Sequence, residues 1–168
     1  MLCLEEARME PLIVLFGTYL MVTMLAWFGV IHTPPARRGR IAMAAMLVLT
    51  GASHYFMTAS MVEMVPPFLP APLALVYATG LLELLGAVGL LTRYHRLASW
   101  ALILLLLAMF PANVYAALHH TGMGGHKHGL SYLWLRAPMQ LLFIAWIAWF
   151  SRERARPHMH EEHAAGVP

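Results

Sequence analysis

Five polar side chains lie inside stretches of the chain that are otherwise apolar: His54, Glu83, Asn113, Arg136 and Gln140. A charged side chain at the centre of a membrane-spanning helix costs roughly 2.5–3.5 kcal/mol on insertion scales, so these residues need an explanation first. Helical spacing assigns each a face. Leu47, Thr50, His54 and Met61 share one side of a helix, and Val76, Gly80, Glu83 and Ala87 line up on another, with Tyr77 at its edge. Met109, Asn113, Ala117 and His120 form a third stripe; Tyr132, Arg136, Gln140 and Phe143 form a fourth. Two chemistries fit this pattern. In one, an ion pair and hydrogen bonds fix helix packing. In the other, the side chains floor a pocket in which Arg136 recognises an anion or a quinone oxygen, and His54 or Glu83 moves protons. An Arg136–Glu83 interaction, direct or through water or Gln140, neutralises both charges in either case. The candidate ligand-binding set is His54, Tyr77, Glu83, Asn113, Arg136 and Gln140; no catalytic residue is assigned.

A second group of side chains suits metals. His119, His120, Met123, His126 and His128 fall within a glycine-bearing connection. Imidazole and thioether ligands are those that copper and related ions take. His158, His160 and His163 form another cluster near the C-terminus. Neither has the fixed spacing of a closed zinc site, and flexible polar segments are the competing explanation. One cysteine, Cys3, excludes a self-contained dithiol mechanism.

The elements that must position these groups are membrane helices. Of 168 residues, 60% are hydrophobic and 11% charged, against roughly 25% charged in soluble domains; the mean hydropathy is +0.65. Apolar stretches run over residues 11–31, 41–61, 73–91, 97–118 and 132–150, each near the ~20 residues that cross a hydrocarbon core. The acidic leading segment, with no small-residue cleavage site before Pro34, argues against a signal peptide. Arginines cluster after the first, third and fifth stretches, whereas the second and fourth connections carry only Lys127. The positive-inside rule then places the N-terminus outside and the C-terminus in the cytoplasm. With this orientation Glu83 lies near the midplane, and His54, Asn113 and Arg136 lie in the outer half. The net charge of +3 is thereby read as orientation signal, not as a nucleic-acid face. The connection from Val65 to Pro72 holds four prolines, which forbid a regular helix and suit a rigid interfacial loop or a lid.

Several motifs together resemble the DoxX family of bacterial membrane proteins. They are Thr50-Gly51-Ala52-Ser53-His54-Tyr55-Phe56, Met64-Val65-Pro66-Pro67-Phe68-Leu69-Pro70, and the run from Gly80 to Leu91 around Glu83. Phe110-Pro111-Ala112-Asn113-Val114-Tyr115 and Trp134-Leu135-Arg136-Ala137-Pro138-Met139-Gln140 complete the order. The resemblance covers residues 41–150. It implies a four-helix core with residues 11–31 as an added N-terminal span and 151–168 as a cytoplasmic tail, in the bacterial inner membrane. It also implies a link to membrane redox chemistry, because members include a small subunit of thiosulfate:quinone oxidoreductase and partners in oxidative-stress complexes.

The expected protein is therefore an all-α polytopic bundle of five transmembrane helices. It binds a quinone-like or other small apolar ligand in an outward-opening cavity and serves a redox system. No nucleotide, haem or flavin motif occurs, so no intrinsic cofactor is expected and electrons would come from a partner protein or the quinone. The alternatives are a metal-handling protein for copper or nickel, and a structural or assembly subunit.

Overall fold

The computed structural model describes residues 9–119 and 130–152. Among these, six helices and no strand occur: α1 (Glu10–Trp27), α2 (Pro35–Phe56), α3 (Thr58–Val62), α4 (Pro72–Leu91), α5 (His95–His119) and α6 (Leu130–Phe150). Prolines sit in the first turns of α1, α2 and α4, where the missing N–H has no intrahelical acceptor to lose. Gly29 takes φ +73° just beyond α1, a left-handed conformation that ends a helix at little cost in glycine. At the far end of α2 the chain kinks through Met57 into α3, and the Thr58 hydroxyl donates to the His54 carbonyl at 2.7 Å.

Four helical segments are long and apolar enough to cross a membrane: α1, α4, α5 and residues 133–150 of α6. The remaining expected stretch, residues 41–61, differs from the expectation in position and character. Its helix starts at Pro35, so Arg37, Arg38 and Arg40 lie in the first turns of α2 and not in a connection. Those arginines, His54 and several small residues lower its hydropathy. The physical reason is location: α2 is the central helix, packed against α1, α4 and α6, and nine of its positions are buried. A helix shielded by its neighbours need not be apolar all round.

The core joins Met43, Met46 and Leu47 of α2 to Leu15 of α1, Ala87 and Leu90 of α4, Leu102 of α5, and Phe143 and Ile147 of α6. Outside it, the helices present large apolar side chains, including Trp27, Trp100, Trp134 and Trp149. Three of these tryptophans lie toward one end of the bundle and Trp134 toward the other, the placement of aromatic belts at bilayer interfaces. This is the surface of a membrane protein. At one end, Trp146 Nε1 donates to the Gly39 carbonyl at 2.9 Å, and the Ser99 and Ser151 hydroxyls share a short hydrogen bond. These ties gather the start of α2, the start of α5 and the end of α6, and with them Arg37, Arg38, Arg96 and Arg152.

Lipid tails are as apolar as leucine, so helices in a bilayer associate through close packing and interhelical hydrogen bonds. One such close approach is between α2 and α4. A Cβ on Gly80 would lie 2.6 Å from the His54 Cβ and 3.1 Å from the Gly51 carbonyl oxygen. A Cβ on Gly51 would lie 3.1 Å from the Gly80 carbonyl oxygen. The obstructing atoms are backbone or next to it, so they cannot swing aside. Gly80→Ala is therefore expected to lower stability by about 1–3 kcal/mol through overpacking. Gly17→Ala, where nothing lies within 4 Å, should be neutral or slightly stabilising. Thermal midpoints of the two variants in one detergent check this; equal midpoints would contradict the crossing.

Candidate functional site

The crossing of α2 and α4 sets two turns of helix against each other, and their polar side chains meet there. Thr50, one turn before His54, connects them. Its hydroxyl donates to Glu83 Oε2 at 2.8 Å. Its carbonyl lies 2.9 Å from His54 Nδ1 and accepts from the Ser53 hydroxyl at 2.6 Å. A carbonyl only accepts, so the His54 proton resides on Nδ1 in the neutral ring and the Nε2 lone pair is left to face other partners. His54 is 6% exposed and Glu83 3%. Burial of a carboxyl so deep is tolerated where hydrogen bonds and nearby positive charge compensate it.

Facing them are α5 and α6. Pro111 within α5 cannot donate to the Leu107 carbonyl, which loosens the helix there. One position earlier, the Leu106 carbonyl accepts from Gln140 Nε2 of α6 at 2.5 Å. Asn113 is buried and its amide donates to the Met109 carbonyl at 3.3 Å. Arg136 lies one turn before Gln140, and its buried Nε has no hydrogen-bond partner among the described residues.

Together these side chains border one cavity of about 600 Å³, whose walls include Thr50, His54, Glu83, Asn113, Arg136 and Gln140. That lies within the ~300–1,000 Å³ of small-molecule sites. The rest of the lining is mainly apolar. Met57, Met61, Met64, Val65 and Leu69, from α3 and the proline-rich connection, carry the cavity to the end of the bundle opposite the arginines, where Glu10 and Pro11 of α1 also reach it. The proline-rich connection is thus part of the cavity wall.

Five of the six expected ligand-binding residues are brought together. Tyr77 is not. It is 41% exposed and stacks on Tyr55 with ring centroids 5.6 Å apart, outside the cavity lining. The Tyr55 hydroxyl donates to the Tyr77 carbonyl at 3.3 Å, so this pair clamps α2 to α4 from the outer surface. Of the expected forms of the Arg136–Glu83 interaction, the direct one is not formed: no ion pair within 4 Å links them among the described residues. Thr50 donates to Glu83, and Gln140 donates to the Leu106 carbonyl. Sequence reasoning also left out Thr50 as a site residue. Its place one turn before His54 was the available signal.

Of the metal-ligand candidates, His119 stacks on Tyr115 with ring centroids 4.0 Å apart, and its Nδ1 lies 3.0 Å from the Tyr115 carbonyl. His120, Met123, His126 and His128 lie outside the described residues, as do the C-terminal histidines. No group of three metal-ligating side chains occurs among the described residues.

Residues 43–151 match the family described as Domain of unknown function (DUF8561), and the chain belongs to that family. The matched region holds the whole polar floor of the cavity and leaves out α1. No curated protein and no solved structure matches the chain.

Thr50→Val keeps the shape of the side chain and removes the donor to Glu83, and a lost hydrogen bond to a buried group costs about 1–3 kcal/mol. Combined with Glu83→Gln, the two changes are expected to be non-additive by about 0.5–3 kcal/mol. A double-mutant cycle on unfolding in mixed micelles measures this. Simple additivity would mean that Thr50 does not hold Glu83.

Proposed function

We propose that this DUF8561 member is a DoxX-like protein of the bacterial inner membrane that binds a quinone-like ligand in the cavity between α2, α4, α5 and α6 and serves a membrane redox system. The observation that carries this is the pairing of an apolar chamber with a small polar floor. His54 and Arg136 both line it, and a quinone offers two carbonyl oxygens for such groups. Arg136 donates to one ring oxygen. His54 Nε2 accepts a proton from a quinol hydroxyl, or donates to a quinone carbonyl when the ring is cationic. Reduction of a quinone takes two electrons and two protons. His54 and Glu83 can hand over protons, while the electrons come from a partner protein.

The family relation to DoxX proteins rests on the motifs around His54, Glu83, Asn113 and Arg136. They fall in nearly the same stretch as the family match, residues 43–151. In this architecture α2, α4, α5 and α6 make the core, α1 is an added helix, and all five span the bilayer. The 22 residues of α2 give about 33 Å at 1.5 Å per residue, enough to cross. Arginines at the end shared by α2, α5 and α6 put that end in the cytoplasm, so the cavity opens outward.

Two outcomes are expected. In nanodiscs, a quinone with a single isoprenoid unit binds the wild-type chain, and His54→Gln weakens binding at least tenfold, about 1.4 kcal/mol, with an unchanged thermal midpoint. Equal affinities measured by titration calorimetry would remove His54 from the site. For topology, the double variant Cys3→Ser/Arg93→Cys should react with an impermeant maleimide only in inside-out vesicles. Labelling in right-side-out vesicles would reverse the orientation.

A further inference from the structure

A second cavity of about 630 Å³ runs along the outside of the bundle in the seam between α4 and α5. Its walls are apolar or small except for Tyr94 at one end. Near that end, Gly86 and Gly89 let α5 approach closely: a Cβ at Gly86 would lie 2.7 Å from Leu102 Cγ, and one at Gly89 would lie 2.7 Å from the Ala98 Cβ. Thr79 of α4 and Met109 of α5 are both chamber walls. Leu105 and Ala108 border both spaces, the chamber on one side and the seam on the other. The wall between them is one methyl group and one half-buried leucine. Ala108 is itself exposed to the bilayer side.

We infer that the seam between α4 and α5 is the exit for a ligand's hydrocarbon tail, so that the natural ligand is a long-chain amphiphile with its oxygen-bearing head in the chamber. This rests on the chamber being the head-group site. The argument is geometric. A chamber of about 600 Å³ holds a substituted ring with a short tail but not one with about eight or more isoprenoid units, so a long tail must leave it. The outer mouth leads toward water and past Glu10, where an apolar chain loses its lipid surroundings at about 0.8 kcal/mol for each CH₂. The seam leads to hydrocarbon and adjoins the chamber at Leu105 and Ala108, whose side chains are all that a tail must displace to pass. Burying the tail in this groove replaces lipid contacts with protein contacts at little net cost, so tail length has little effect on affinity while the seam is open.

The test uses two quinones with the same head, one with a single isoprenoid unit and one with eight, each titrated into the full-length protein in nanodiscs. Wild-type protein is expected to bind both with affinities within about threefold, on a lipid-phase concentration scale. Leu82→Trp, in a seam wall that is not part of the chamber lining, should weaken the eight-unit quinone at least tenfold while sparing the one-unit quinone. Ala101→Trp, on the opposite wall of the groove, should do the same and guards against a folding defect in the first variant. If both quinones keep their affinity in both variants, the tail does not use the seam and the inference fails, while the head-group reading stands. Loss of both quinones alike also overturns it. If neither quinone binds wild-type protein, the head-group reading fails. The seam is then judged by a bilayer-dissolved alkyl diazirine: photolabelling of Thr79 and Met109 that Leu82→Trp abolishes supports a passage from the lipid, and no labelling there overturns it.

Discussion

The backbone contact between Gly51 and Gly80 fixes the rest of the structure. Two side-chain-free positions let α2 and α4 approach until each carbonyl oxygen nearly touches the other helix. At that distance Thr50 reaches Glu83 and the His54 ring lies against α4. About an ångström more, and the hydroxyl of Thr50 would lose the carboxyl. The polar floor of the cavity is therefore a consequence of a packing choice made by two glycines. In a bilayer, where apolar surface gives helices no reason to associate, such contacts do most of the positioning.

The two sides of the chamber are built differently. On the α2–α4 side, Thr50 is the hub: its hydroxyl donates to the Glu83 carboxyl, and its carbonyl meets the His54 ring nitrogen and the Ser53 hydroxyl. On the α5–α6 side, prolines at positions 111 and 138 interrupt the hydrogen-bond ladders, and Gln140 borrows the Leu106 carbonyl to hold the two helices together. Arg136 is carried into the cavity without closing on Glu83. A bundle that used these residues only as glue would gain most by letting the two charges meet. The separation leaves a space with an acid, an imidazole and a guanidinium around it, and that space has the size of a small molecule.

Much of this was legible in the sequence. The cost of placing His54, Glu83, Asn113, Arg136 and Gln140 in apolar stretches identified the cavity residues without any knowledge of how the helices pack. Helical periodicity also put Gly80 and Glu83 on one face. It was less informative one step away from that face. Tyr77, adjacent to Val76, is rotated toward the outside and stacks on Tyr55, which depends on where α2 lies relative to α4. Periodicity is silent on that. The start of α2 at Pro35 was hidden by its arginines, because a central helix can carry charges in its first turns. Backbone acceptors such as the Leu106 carbonyl carry no sequence signature at all. The histidine connection, apart from His119, and the C-terminal histidines lie outside the described residues, and metal handling there stands as an open alternative.

An experimental density map of the protein purified from its own membrane, in native lipid, tests the central claim most directly. The account predicts density for a planar head group between His54, Asn113 and Arg136, with Arg136 turned toward it and away from Glu83. A closed interface, with Arg136 paired directly to Glu83 and no space between α2 and α5, would contradict it.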